Sequence, residues 1–565
     1  MKTQKRKNMK KSRYLIRVVM ILLGMAGFSM SCTKLDETLY SEVTPANFFK
    51  TDAESVAALG AAYTQLGGYA SGSVTNLQEL TTDEMVVPTR GSDWDDGGNW
   101  RRLHLHSYKF EDNDMGSAWD FCFAGVTKTN FLIDQFQSLA KAGQVAQDVA
   151  DGYSSELKTL RGFFYWQLID LYGNVPLVTQ YVGAPAAPAT APRADVYAAI
   201  VNDLETAVPL TSLKVDGTTY GRMNYYAGKT LLAKLYLNAG VYTGTPAWQK
   251  AIDACDAVIT SGKYNLEANF FTNFNVDNAA SKEFIFAIPY DQIFFTGFNL
   301  NAQTLHYGNQ FTYNLTFQPW NGFCTMEQFY NSFDATDLRR GDVGTPTVKA
   351  SKRGSFIAGY QYTSGGIKVV DDGATSPFPS KALNFGNIGM LINGAPVPQI
   401  NELGPQAWRQ SGVRIGKWEF QMGGTQDMSN DVAVFRYADV LLMKAEALFR
   451  LGKSAEALPL VNLVRARAGL NDLTSLDGKL NFDLTGPSVA GGELFNEIGR
   501  EMFAEHSRRQ ELIRWGFYNM NNKWVIPYNN VGDVLTVGTD SHLMIYPIAK
   551  NKLAANLNLK QNPGY

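Results

Sequence analysis

The residues best suited to chemistry lie together between positions 90 and 108, in RGSDWDDGGNWRRLHLHSY. Nineteen positions hold two tryptophans, three aspartates, three arginines, three glycines and two histidines. A segment this polar and glycine-rich does not read as core. Three uses suit such a set: a metal loop, a catalytic loop, or a platform for a ligand.

Spacing argues against the metal loop. With Asp93 as position 1 of an EF-hand-like loop, position 5 is Gly97 and position 12 is His104, where a bidentate Glu is needed. His104 and His106 alternate and would share a face of a strand, yet no third ligand stands at a diagnostic spacing. The chain has only five histidines. No cofactor is expected, although a structural Ca²⁺ held by loop oxygens stays open. Catalysis has no local signature either. A glycosidase needs two carboxylates at a defined separation, and 53 acidic residues single out no pair. The sequence contains no GxSxG, HExxH or Walker A motif, and no GxGxxG that opens a helix after a strand.

The elements that must position this loop are mostly helical. Leu160, Phe163, Phe164, Leu168 and Leu171 fall on one helix face, with Gly173 and Pro176 as the stop. Val434, Tyr437, Ala438, Leu441, Leu442, Ala445, Leu448 and Phe449 form an i, i+3, i+4 stripe that Gly452 breaks. A second helix follows, with Ser454 expected as its cap. NYYAGKTLLAKLYLNAG and WQKAIDACDAVITSG make an earlier pair of the same kind. Further helices are predicted at 52–66, 117–138, 193–206 and 493–514. The pairs resemble tetratricopeptide packing without a strict 34-residue period. Residues 271–425 differ: they are rich in Gly, Asn, Pro, Ser and rings, with one clear strand in SKEFIFAIPYD. Loops this long inside a folded chain usually carry function. The expected fold is mainly α: an irregular tetratricopeptide-like helical scaffold with a loop-rich, aromatic-rich lobe and a few short strands. Its expected divisions are 52–270, 271–425 and 426–565.

The N-terminus reads as an export signal. Residues 1–31 join a basic segment to an apolar one, and Ser29 and Ser31 precede Cys32. The segment resembles the lipobox of bacterial lipoproteins, in which the cysteine is acylated, although Ser29 stands where leucine is usual. Asp36-Glu37 resembles the surface-export signals of Bacteroidetes lipoproteins. Residues 32–51 would be the anchor linker. Residues 1–31 carry eight of the 51 bases and no acid, leaving 43 bases against 53 acids, a net of −10. Such a balance disfavours a nucleic-acid partner. Cys122, Cys255 and Cys324 allow at most one disulfide and read as small buried residues.

Several blocks, in order, resemble the SusD/RagB family of surface lipoproteins. They are LRGFFYWQLIDLYGNVPLV (160–178), PRADVYAAIVNDLETAVPLT (192–211), GRMNYYAGKTLLAKLYLNAG (221–240), FRYADVLLMKAEALFRLGKSAEALPLVNLVRARAGL (435–470), EIGREMFAEHSRRQELIRWG (497–516) and YPIAKNKLAANLNLKQNPGY (546–565). One departure is the block at 500–514. Its charge pattern survives where residues differ, and it reads as a salt-bridged packing helix. The resemblance implies a non-catalytic protein, lipid-anchored through Cys32 to the outer membrane and facing the cell exterior. It also implies capture of oligosaccharide or polysaccharide and delivery to a SusC-like TonB-dependent transporter. Peptide or another nutrient, as in RagB-like members, and a surface glycoside hydrolase remain alternatives.

A glycan site needs flat rings for the C–H faces of sugars and polar groups for their hydroxyls. Trp94 and Trp100 offer rings. Asp93, Asp95, Asp96 and Asn99 offer acceptors, and Arg90 a fork of donors. Gly91, Gly97 and Gly98 let the backbone turn. The bland alternative turns Trp100 inward as an anchor. A second segment, 312–334, offers Trp320, because a tryptophan in the corresponding family loop often joins the aromatic platform. Tyr313, Phe317 and Phe323 there read as core or wall. Tyr360 and Tyr362 are further candidates.

Overall fold

Apolar stripes at helical spacing make the scaffold. The structure, a computed structural model, describes residues 52–90, 93–371, 382–386, 390–392, 395–397, 409–524, 529–530, 533–534 and 538–565. The expected signal peptide, the Cys32 lipidation site, the linker to residue 51 and Gly91 lie outside the described residues.

Asn113–Lys141 packs along Gln147–Tyr172, and Arg193–Ala207 packs on the latter. The first two approach closely because Gly125 has no side chain: a Cβ there would come within 2.4 Å of the Phe164 ring. Gly173, at φ 68°, ends the second helix where the sequence places its stop. Tyr225–Leu237 pairs with Trp248–Ile259, and Tyr437–Arg450 with Ser454–Arg467. Trp248–Ile259 also packs on Tyr437–Arg450, so helices nearly two hundred residues apart in sequence share one core. Cys122, Cys255 and Cys324 are free and buried. Among the described residues no helix is long and apolar enough to cross a membrane.

Three local expectations are corrected. Val434 sits in a strand, Val432–Arg436, that pairs antiparallel with Phe284–Ile288, and the helix begins only at Tyr437. All five residues of each strand are buried, so Val434 fits the apolar stripe without belonging to the helix. Ser454 is the first helical residue and not the cap; Lys453 holds the cap position without a side-chain bond. The helix expected over 493–514 is two, Gly492–Met502 and Arg508–Trp515. Between them Ala504 and His506 take φ 61° and 63°, which an α-helix cannot contain.

The lobe is joined to the scaffold by buried charge. Arg436 donates to Glu283 (3.1 Å), Glu501 (2.6 Å) and Glu505 (2.7 Å). Arg339 reaches Asp337 (2.8 Å), Glu497 (2.8 Å) and Glu501 (3.0 Å). Lys417 meets Glu505 at 2.5 Å and Arg467 meets Glu283 at 2.7 Å. Burial alone would raise the Glu501 carboxyl; the guanidiniums of Arg467, Arg436 and Arg339 overcome it and hold that carboxyl below the usual range. The charge block in 500–514, read from sequence as a salt-bridged packing helix, thus takes part in a buried network that joins several distant segments.

Candidate functional site

A two-residue strand pair sets the site. Met85–Val86 runs antiparallel to Cys324–Thr325, which lays the loop after residue 86 beside the segment before residue 324. Arg90 then fastens the two together. It is 3% exposed, and its guanidinium donates to the carbonyls of Pro88 (3.3 Å), Gly322 (3.1 Å) and Ser411 (2.7 Å). Its donors are turned inward, so Arg90 belongs to the frame and not to the ligand face proposed for it from sequence. The cause is elementary: three buried carbonyls need donors, and one guanidinium supplies them.

Arg90 and Asp93 exchange both backbone bonds (3.0 and 3.1 Å), closing a tight turn. Trp94 follows at φ 59° and Asp96 at φ 40°, left-handed conformations that side chains rarely take. The turn delivers the Trp94 indole onto the facing segment. Its N–H donates to the Trp320 carbonyl at 2.7 Å. The ring lies against Gly322, where a Cβ would approach to 2.4 Å. The facing segment is itself pinned: the backbone N–H groups of Trp320, Asn321 and Gly322 donate to Ala302 (2.7 Å), Leu305 (2.9 Å) and Gln303 (2.8 Å).

The rings form an angled wall and not a flat stack. Trp94 and Trp320 lie 6.4 Å apart at 49°, and Trp94 and Trp100 5.3 Å apart at 62°. Phe323, fully buried, supports Trp94 and Trp100 from behind. A shallow concavity of about 430 Å³ opens in front, lined by Asp93, Trp94, Asp96, Tyr307, Gln318 and Trp320, with Pro319 at its edge. Trp100 is half-buried and does not line it; its N–H donates to Asp96 at 2.5 Å. Trp100 is therefore neither core anchor nor lining. It braces Trp94 edge-on.

Tyr307 is a lining residue that the sequence reading missed. Its hydroxyl donates to Asp93, and burial together with that carboxylate pushes its pKa up to about 12. Arg409 lies over its ring at 4.5 Å. Nothing in HYGNQ marks such a role locally, because the tyrosine meets Asp93 only through the fold.

The remaining candidates fall elsewhere. Asp95 pairs with Arg101 at 2.7 Å, and Asn99 donates to Asp114 at 3.0 Å. Tyr360 lines a separate concavity of about 350 Å³ with Tyr313, Trp418 and Arg353, which shares no residue with the first. Tyr362 is buried. His104 and His106 do not share a strand face: His104 ends the helix Asn99–His104 and His106 lies beyond it at φ 51°. Both are buried, and burial depresses them to about 3 and about 4. The His106 Nε2–H donates to the Thr81 carbonyl (2.8 Å), and the ring stacks on Tyr518. Among the described residues no three His, Cys, Asp or Glu side chains gather as a metal would require.

Comparison with known proteins agrees with this architecture. A family model described as "SusD family" matches residues 400–565, and one described as "Starch-binding associating with outer membrane" matches residues 35–237. The starch-binding protein SusD of Bacteroides thetaiotaomicron is 25% identical over 518 residues, spanning 87% of this chain and 85% of that one. SusD-like protein P2 of Formosa agariphila is 26% identical over 477 residues, 81% of this chain and 82% of its own. Among solved structures, the surface glycan-binding protein A of Bacteroides thetaiotaomicron in complex with laminarihexaose superposes with TM-score 0.66. It is 19% identical, over 90% of this chain and 99% of that one. Two SusD-type family models thus match separate parts of the chain, and its fold throughout is that of the SusD-like proteins it resembles.

Proposed function

We propose that this protein is a non-catalytic glycan-binding lipoprotein of the cell surface. It captures oligosaccharide or polysaccharide and passes it to a SusC-like TonB-dependent transporter. The observation that carries the reading is the Trp94–Trp320 wall, two indoles side by side, the first held by the backbone carbonyl of the second, along an open concavity lined also by Asp93 and Asp96. Indole faces receive the C–H faces of sugars, and carboxylates accept from their hydroxyls. The relatives support it in kind: one is named starch-binding, and one was solved with laminarihexaose. Acylation at Cys32 would supply the anchor, since several buried acyl chains hold a protein firmly where one is marginal. The family's association with the outer membrane supports placing it there.

The test is an affinity-gel and glycan-array screen of the mature protein beside Trp320→Ala, with peptides as a parallel set. The reading expects retention by at least one glycan, weakened by the substitution, and no release of shortened product. Binding confined to peptides, or product release that ends when one carboxylate is replaced, would overturn it.

A further inference from the structure

We infer that the concavity selects neutral, hydroxyl-rich glycans and rejects those bearing carboxylate or sulfate groups. The inference rests on the glycan-binding reading above and specifies its substrate class.

The lining carries two carboxylates, and its side-chain donors, the Gln318 amide and the Trp320 indole among them, are neutral. Its charged members are Asp93 and Asp96, both exposed. Their hydrogen-bond donors are neutral groups, the Tyr307 hydroxyl and the Trp100 indole. Those two donors are thereby spent, and the Trp94 N–H is spent on the Trp320 carbonyl. No Lys or Arg lines the concavity among the described residues. The guanidiniums around it are engaged elsewhere. Arg90 and Arg414 are buried on backbone carbonyls, with Asn321 as a further partner of Arg414. Arg101 holds Asp95 and Thr89. Arg102 holds Asp112, and Arg409 covers Tyr307 while facing Asp371 at 3.5 Å.

A ligand carboxylate or sulfate brings only acceptors and negative charge to such a surface, and it finds carboxylates in return. A hydroxyl brings an O–H that Asp93 or Asp96 can accept. Like-charge contact beside a partly desolvated aromatic wall costs about tenfold or more in affinity.

Calorimetry tests this with neutral hexasaccharides of gluco, xylo and manno backbones against uronate or sulfated chains of equal length, at low and high salt. The neutral set should bind at least about tenfold tighter at low salt, and the gap should narrow at high salt. The double variant Asp93→Asn with Asp96→Asn should close most of the gap, read as the ratio of charged to neutral affinity. That ratio is insensitive to a general loss of binding. Charged chains binding as tightly as neutral ones, or a ratio unmoved by the double variant, would overturn the inference. Binding by no member overturns the glycan reading beneath it, and the inference with it.

Discussion

The indole N–H of Trp94 donates to the carbonyl oxygen of Trp320 at 2.7 Å, across 226 positions of sequence. That hydrogen bond, made to a backbone oxygen, holds the Trp94 ring against the segment that carries Trp320. A ring held in this way spares the ordering entropy that a free side chain would otherwise lose on binding.

Gly322→Ala should disturb that arrangement without replacing a lining side chain. The new methyl would approach the Trp94 ring to 2.4 Å, so the indole must move. We expect a loss of about 1–3 kcal/mol in stability and weaker glycan retention. Chemical denaturation and affinity gels on the same preparation check both. A variant as stable as the parent would mean the ring does not rest on Gly322.

Arg436→Met should be severely destabilising. It leaves Glu283, Glu501 and Glu505 buried with one fewer cation. Removing one partner of a buried ionic group costs about 3–5 kcal/mol. Urea unfolding measures it, and a cost below about 1 kcal/mol would place the group with ordinary surface pairs.

Stability should fall on mild acidification because of buried histidines. Burial lowers His104 to about 3 and His106, His306 and His506 to about 4. The unfolded chain, with ordinary histidines near 6.5, binds more protons between those values and 6.5. Stability is therefore intact above about 6.5 and is lost as pH falls toward 4. His104 has no hydrogen-bond partner on either ring nitrogen. His104→Phe should flatten the slope between pH 4 and 6 by up to one proton, about 1.4 kcal/mol per pH unit. Thermal melts across that range read the slope, and parallel curves for the two proteins would contradict the assignment.

The helical scaffold was legible because its apolar stripes repeat at 3.6 residues, as in the run ending at Tyr172 and Gly173. Where a strand's burial imitates a stripe, as at Val434, periodicity misplaced the boundary. It also missed the break at Ala504 and His506, since nothing local announces a left-handed alanine. In the site, the sequence pointed to Trp94, Trp320, Asp93 and Asp96, which the fold brings together. It could not see that Arg90 would be drawn inward by distant carbonyls, or that Tyr307 would close the rim against Asp93. Both depend on the pairing of Met85–Val86 with Cys324–Thr325, a contact between segments more than two hundred residues apart.

The most direct test of the account is the affinity of Trp320→Ala for the tightest-binding neutral hexasaccharide of the panel, measured by calorimetry beside the parent protein. The substitution removes a lining ring while leaving the Trp320 carbonyl that holds Trp94. We expect at least about a tenfold loss of affinity, as for a hot-spot aromatic, with an unchanged melting temperature. Unchanged affinity in a folded variant would contradict the assignment of this wall as the glycan site.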